Sequence, residues 1–374
     1  MNPNRLLGLF FDLVRIESPS HHERLMASRC RDELESLGFS VRFDDSAVKT
    51  ESETGNLIAH LPGTASGHIV LSAHMDTVQP CAGIEPVVDE GIVRSAGDTI
   101  LSADDKAGVA GILEGMRSVV EAGTPRPDVT VLLTTCEEQH LLGSGALSAD
   151  ELPAGAPCYV MDADGAPGTI VTGAPCHWTL RAAFEGRAAH AGVAPETGVS
   201  AILMAAAALE AMPLGRLDEE TTANIGTIAG GSETNVIPAA CVLEGECRSL
   251  HEDRAETQKD AMTRALENAA SQGGGTVNIA WLKNYDAVLY DEQDELVQGI
   301  VRAARAAGLE PRFRHSGGGS DANVLAARGV RAITLGVGMT AFHSPDEHIA
   351  VADLEGTARL VEALVAEGAK AEAR

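Results

Sequence analysis

HIVLSAHMDT, residues 68–77, is the stretch on which the reading of this chain turns. Residues 68–73 form a short, mostly apolar run of the kind that makes a buried strand, and the run ends on His74, Met75 and Asp76. Three further runs end in the same way. Residues 129–135 lead into Cys136, Glu137 and Glu138, residues 158–161 into Asp162, and residues 331–337 into a loop that holds His343. Helical stretches stand between them: 107–122, rich in Ala, Val, Ile and Leu at helical spacing, and 294–307. Strands alternating with helices predict an α/β domain with a mainly parallel sheet covered by helices. In such sheets ligands gather at the carboxyl edge of the strands, and here ionisable residues stand at that edge four times over.

Working outward, residues 176–287 follow another pattern. Strands are expected at 178–184, 224–229, 240–248 and 276–282, with helices at 200–212 and 253–270. The order β-α-β-β-α-β is that of a ferredoxin-like α+β unit. It interrupts the larger domain, which resumes near Leu289. The expected organisation is therefore a discontinuous domain, 1–175 and 288–374, with an inserted domain at 176–287.

Composition narrows the function classes. The chain has 374 residues, 44% apolar and 22% charged, with a formal net charge of −26. This is globular composition with ample chain for a large core. The excess of acid repels phosphate backbones and anionic membranes, which argues against nucleic-acid or membrane partners. Leu6, Leu7, Phe10, Phe11, Leu13 and Val14 fit one face of an amphipathic helix, too short and too charged for a signal peptide. The seven cysteines, at 30, 81, 136, 158, 176, 241 and 247, are odd in number, scattered and without a CxxC pair, so reduced thiols and a cytoplasmic protein are expected.

Five residues stand out at the strand ends: His74, Asp104, Glu138, Asp162 and His343. All offer the N or O donors that zinc, cobalt or manganese accept. Two imidazoles and three carboxylates suit two divalent ions that share one carboxylate, each ion keeping one histidine and one terminal carboxylate. Asp76, two residues after His74, is placed to accept the second imidazole N–H and fix the tautomer. Asp104 lies in SADDKAG just before a helix, where a carboxylate gains from the helix N-terminus. Glu137 and Glu138 are adjacent, so one can bind metal while the other acts as a general base. An isolated HxD or EE is weak evidence; the coincidence at successive strand ends is what carries the reading.

Several strings together resemble a known family. LSAHMDTV, GDTILSADDKAGVAG, CEEQHLLGS, YVMDADG, GRAAHAGVAPETGVSA, SETNVIP and FHSPDEHI, in this order, are similar to the co-catalytic metallopeptidases related to peptidase T, carboxypeptidase G and acetylornithine deacetylase. The likeness is strongest to the peptidase T-like branch. The resemblance implies that His74, Asp104 and Asp162 hold one metal and that Asp104, Glu138 and His343 hold the other. It favours Asp104 over Asp105 as the bridge and Asp162 over Asp164. It makes Glu137 the general base and Asp76 the partner of His74. It also implies that the insertion is a lid that pairs two subunits, that His190 of the partner lid stabilises the oxyanion, and that Asn235 and Arg248 contact substrate. The implied activity is hydrolysis of an amide bond in short peptides, of the aminotripeptidase type, with two divalent ions, zinc before cobalt or manganese.

One departure stands against the tripeptide reading. Peptidase T proper carries an arginine at the place of Gly317 in HSGGGSD, so longer, shorter or N-acylated substrates stay open. The rival readings are an N-acyl-amino-acid amidohydrolase on the same core and a metal-bound protein without hydrolytic activity. A related aminopeptidase with a different lid is disfavoured by AAHAG and TNVIP within the insertion. Neither a dinucleotide fingerprint nor a phosphate loop occurs, and GGSDA lacks the final glycine of a nucleophile elbow.

Overall fold

The strand at the centre of the reading spans His68–His74, and its alternation explains the layers around it. Ile69, Leu71 and Ala73 point into one apolar core with the helices Pro3–Val14, Ala103–Ala122, Glu295–Ala306 and Val351–Gly368. Val70 points to the other face, into a smaller core with Leu132, Cys158, Val160 and Leu325. Period-two side-chain placement thus gives a strand buried on both sides, which is why the run is apolar throughout rather than alternating. The computed structural model describes residues 1–369, so residues 370–374 of the expected 288–374 segment lie outside the described residues.

The main sheet runs in the order Ser40–Phe43, Leu57–Leu61, Asp128–Thr134, His68–His74, Pro157–Ala163, Arg331–Gly336 and Thr169–Ala174. The strands Asp128–Thr134, His68–His74, Pro157–Ala163 and Arg331–Gly336 pair in parallel. Leu57–Leu61 and Thr169–Ala174 join this centre antiparallel. The fold is α/β with a mainly parallel sheet, as the alternation of elements predicts. Because the four central strands are parallel, His74, Thr134, Ala163 and Gly336 all end at one edge.

A second, antiparallel sheet holds Met339–Thr340, His348–Ala350, Ile92–Ser95 and Pro86–Asp89. Its strands are short, and the sequence reading did not anticipate it. It pairs His348 with Arg94, which carries the His343 loop to the chain that leads into Asp104.

The helix Ala103–Ala122 begins before the expected 107, and Asp104 and Asp105 at its start have non-helical backbone angles. Gly108, Gly111 and Gly115 let it pack closely. A Cβ at Gly111 would sit 2.5 Å from Thr357 Cγ2, and one at Gly115 2.7 Å from Val361 Cγ1.

The chain forms two compact units. One comprises Met1–Thr172, Tyr290–His315 and Ser320 onward; the other comprises Gly173–Leu289 with Ser316–Gly319. The second unit has an antiparallel sheet in the order Gly215–Arg216, Thr221–Gly230, Ala240–Ser249, Cys176–Glu185 and Thr276–Tyr285. The helices Ala201–Ala211 and Glu252–Gly273 contribute Met204, Ala205, Met262 and Leu266 to its core. The tip of the Gly-rich loop belongs here rather than to the flanking segments. The Ser316 N–H donates to Gly173 O at 2.7 Å, and the Gly319 N–H donates to the Tyr285 hydroxyl oxygen at 3.1 Å. Among the described residues no helix is long and apolar enough to cross a membrane. All seven cysteines are free and buried.

Candidate metal centre and its surroundings

His74 is the last residue of its strand and is buried, at 2% exposure. Its Nε2 lies 2.9 Å from Asp104 Oδ1 and 3.6 Å from Asp162 Oδ1. The other oxygen of Asp104, Oδ2, lies 3.2 Å from His343 Nε2, and His343 Nε2 lies 2.9 Å from Glu138 Oε1. One aspartate therefore faces a histidine with each of its oxygens, and each histidine has a further carboxylate beside it. The five residues expected from the sequence converge in the first unit from five separate segments.

The neighbouring acids separate cleanly. Asp105 also approaches His74 and Asp162, their donor atoms lying within 4.8 Å of one another. Its oxygens, however, accept main-chain N–H groups, from His74 at 3.2 Å and from Gly108 at 3.2 Å. Asp164 faces away to Arg314, whose Nη1 donates to Oδ2 at 2.7 Å. Asp76 departs from the arrangement read from the sequence. The atom nearest His74 Nδ1 is the main-chain oxygen of Asp76, at 2.9 Å, while the carboxylate lies 3.6 Å away. That carboxylate accepts the N–H of Glu137 at 2.9 Å, the N–H of Glu138 at 3.2 Å and the Ser20 hydroxyl at 2.7 Å. The strand ends at His74, so residue 76 no longer obeys the two-residue period. It orients the glutamate pair as well as the imidazole.

The electrostatics of the cluster follow from burial and crowding. Burial, reinforced by Asp162, holds the Glu137 carboxyl well above its ordinary range. Burial pushes Asp162 up to about 7 even though His74 opposes it. Burial also raises Asp104, but hydrogen bonds from His343 and His74 outweigh it and hold that carboxyl low. Hydrogen bonds to Asp104 and Glu138 push His343 up to about 10. Asp76, Asp104, Asp105, Glu137, Glu138 and Asp162 thus crowd around two imidazoles in mostly buried space, six carboxyl groups against two bases. This donor set of carboxylate oxygens and imidazole nitrogens fits divalent cations, whose charge would offset the crowding.

His190, Asn235 and Arg248 lie in the second unit. His190 pairs with Val236, and the Ala191 N–H donates to Asn235 O at 2.9 Å, so the AAHAG and TNVIP strings meet. Arg248 is half-buried. It donates to Glu246 through Nε at 3.2 Å and Nη2 at 2.9 Å, and His177 Nε2 lies 2.8 Å from the same carboxylate. The remaining nitrogen, Nη1, points to the Tyr285 hydroxyl at 3.4 Å and to Gly317 O at 3.5 Å.

Sequence reasoning missed buried polar residues whose partners lie elsewhere in the chain. Lys106 is fully buried and donates to Ile16 O at 2.6 Å; burial lowers its ammonium to about 8. Asp321 accepts from the Thr134 hydroxyl at 2.5 Å, and Ser320 caps the helix Asp321–Ala327 through a capping box. The Gly-rich loop is thus a helix entrance, consistent with its lack of a phosphate-loop lysine.

A carboxylate–imidazole cluster at the carboxyl edge of a mainly parallel sheet defines a metallohydrolase. The chain belongs to peptidase family M20/M25/M40, whose profile matches residues 70–367, and it is a metallopeptidase. It is 39% identical to the protein YqjE of Bacillus subtilis strain 168 over 99% of this chain and 100% of that one. Among solved structures it is similar to the aminopeptidase PepT of Bacillus cereus, at 40% identity and a TM-score of 0.92, covering 99% of this chain and 100% of that chain. It is likewise similar to a tripeptidase of Staphylococcus aureus, at 35% identity and a TM-score of 0.95, covering 99% of both.

Proposed function

We propose that this metallopeptidase is a peptidase T-like exopeptidase that releases the N-terminal residue of short peptides, tripeptides first, with two divalent ions, zinc before cobalt or manganese. The observation that carries the reading is the shared aspartate. Asp104 turns one oxygen to His74 and the other to His343, the disposition a bridging ligand needs. His74, Asp104 and Asp162 would hold one ion, and Asp104, Glu138 and His343 the other. Ions bound there supply Lewis-acid polarisation of the scissile carbonyl and acidify water at neutral pH.

The chain's own groups do the rest. Glu137 takes a proton from the attacking water and hands it to the leaving amine. Its main-chain N–H, like that of Glu138, is held by the Asp76 carboxylate. His190, delivered by the lid of a second copy, donates to the oxyanion. Asn235 and Arg248 contact the substrate, and the guanidinium is suited to its terminal carboxylate. Glu246 and His177 hold Arg248 with one nitrogen turned to the Gly317 carbonyl. The loop that lacks an arginine at 317 therefore has a guanidinium beside it, suited to the terminal carboxylate that tripeptides and N-acyl amino acids share.

Two further features support a homodimer through the lid in the cytoplasm. Ile202 and Leu203 on the helix Ala201–Ala211 and Ile228 on the strand Thr221–Gly230 are exposed, at 37%, 71% and 54%, an apolar face suited to a twofold contact. The seven buried free thiols suit a reducing compartment.

The test is a panel of free tripeptides, dipeptides, longer peptides and N-acyl amino acids, run with zinc, manganese or cobalt and with chelator. Chelator-sensitive release of the first residue from free tripeptides, and none from N-acetylated ones, is expected. Preferred cleavage of N-acyl amino acids would replace the reading with an amidohydrolase, and no metal-dependent cleavage of any member would end it.

A further inference from the structure

The loop that presents His343 also contains Glu347, a carboxylate buried at 1% exposure. Its oxygens reach the main chain at the start of the helix Ala103–Ala122. Oε2 accepts the N–H of Leu101 and of Ser102, each at 2.8 Å, and Oε1 accepts the N–H of Asp104 at 2.9 Å. The donors and the acceptor lie 243 or more residues apart in the chain. All three donors belong to buried residues.

These main-chain groups need such a partner. Asp104 has φ −80° and ψ 105°, outside the helical region, and Ser102 has φ 62°, so regular helical hydrogen bonding does not begin there. A buried N–H without a partner is rare and costly. One carboxylate satisfies three at once. Two neighbouring features fix Glu347 itself. It is followed directly by His348, which pairs with Arg94 in the small antiparallel sheet, and its own N–H donates to Ser344 O at 3.1 Å.

We propose that Glu347 is a positioning residue for the metal centre, tying the main chain of Asp104 to the loop that carries His343. The inference rests on the metal-binding reading above. Asp104 is shared by both histidines, and His343 is exposed on a loop, with 45% of its side chain accessible. Asp104 and His343 also meet directly, Oδ2 to Nε2 at 3.2 Å, and Glu347 adds a tie between the main chain at Asp104 and the segment that carries His343. Glu347 acts through main-chain groups and touches no reacting atom. Partners behind metal ligands commonly change metal affinity by about 10–100-fold when removed.

The experiment titrates the metal-free protein with Co²⁺ and follows the visible absorption of the bound ion together with the melting temperature of the metal-free form. Glu347→Gln keeps the side chain's shape but places an amide N–H₂ against main-chain donors. Glu347→Asp keeps the charge and draws the oxygens back by one bond. Glu114→Gln serves as control. Glu114 is a buried carboxylate on the same helix, paired with Arg5 at 2.7 Å.

Glu347→Gln should weaken cobalt binding by about 10–100-fold, alter the band intensities, and regain activity when cobalt is raised in proportion. Glu347→Asp should fall between that variant and the wild type, so the outcome does not depend on one variant folding. Glu114→Gln should lower the melting temperature but leave cobalt affinity unchanged. Wild-type affinity and spectrum in both Glu347 variants would overturn the proposal. So would an equal loss of affinity in Glu114→Gln, because the effect would then be one of general destabilisation. Failure of the wild type itself to bind cobalt saturably would instead overturn the metal reading beneath it.

Discussion

In the proposed mechanism Asp104 holds metal and Glu137 moves the proton, and the two roles can be separated by substitution. Asp104 stands between two imidazoles, so Asp104→Asn should lose bound metal and activity together, as read by metal analysis of the purified protein beside the peptidase assay. Glu137 donates its main-chain N–H to Asp76 at 2.9 Å, and its carboxyl is the group the proposal assigns to proton transfer. Glu137→Gln should lower kcat by about 10²–10⁴-fold with the metal content unchanged; full turnover in that variant would remove Glu137 from the role of base. At this scale the donor atoms were legible in the sequence, because His and acid at the ends of apolar runs leave a visible mark. The use of Asp76 to hold the Glu137 and Glu138 main chain was not. A main-chain partner has no residue type, so nothing in the sequence shows which N–H a carboxylate will find. Glu347 escaped notice for the same reason, although it lies within the FHSPDEHI string.

Elements place these residues, and two of them can be tested directly. The helix Ala103–Ala122 lies against Val351–Gly368 through Gly111 and Gly115. A side chain at Gly115 would meet Val361 Cγ1 at 2.7 Å and Ala358 O at 2.9 Å. Gly115→Val should therefore cost about 1–3 kcal/mol of overpacking, seen as a lower denaturant midpoint, and it should disturb the helix whose start carries Asp104. In the second unit, the hydrogen bond from His177, reinforced by Arg248 and opposed by burial, lowers the Glu246 carboxyl from 4.5 to about 2. A depressed carboxyl contributes stability that is fully present above its unfolded value and is lost as pH falls through its folded value. Wild type should thus exceed Glu246→Gln in stability above about pH 4.5, by about 1 kcal/mol once solvent screening of this half-exposed group is allowed for. The two should converge near pH 2, as followed by urea unfolding across that range. Long apolar or amphipathic elements were readable from periodicity, with ends that shifted by a few residues. The short strands Pro86–Asp89, Ile92–Ser95, Met339–Thr340 and His348–Ala350 were not. They carry too few residues for a period to register, and they exist because of partners elsewhere in the chain.

For the molecule as a whole, the net charge of −26 is spread over a surface that repels nucleic acid, while the buried acid cluster calls for cations of its own. Ions that bind only the folded protein stabilise it, by about 2.7 kcal/mol at a hundred times their dissociation constant. Chelation should accordingly lower the melting temperature and abolish peptidase activity, and both should return with zinc or cobalt. A melting curve indifferent to chelator would count against a centre of this kind. If the lid pairs two copies, Leu203→Glu should yield monomers by sedimentation velocity without loss of secondary structure by circular dichroism.

The sequence by itself determined the α/β class, the parallel strands and the donor residues at their ends, because each is written in local periodicity and residue type. It also carried the family, through motifs spread along nearly the whole chain. Only the tertiary structure decided which oxygen faces which imidazole and which carboxylates, Asp105 among them, serve main-chain N–H groups. Those choices rest on pairings between segments far apart in the chain, such as Glu347 with Leu101, Ser102 and Asp104. Such pairings are settled by packing and the need to satisfy buried polar groups, and no local stretch of sequence encodes them.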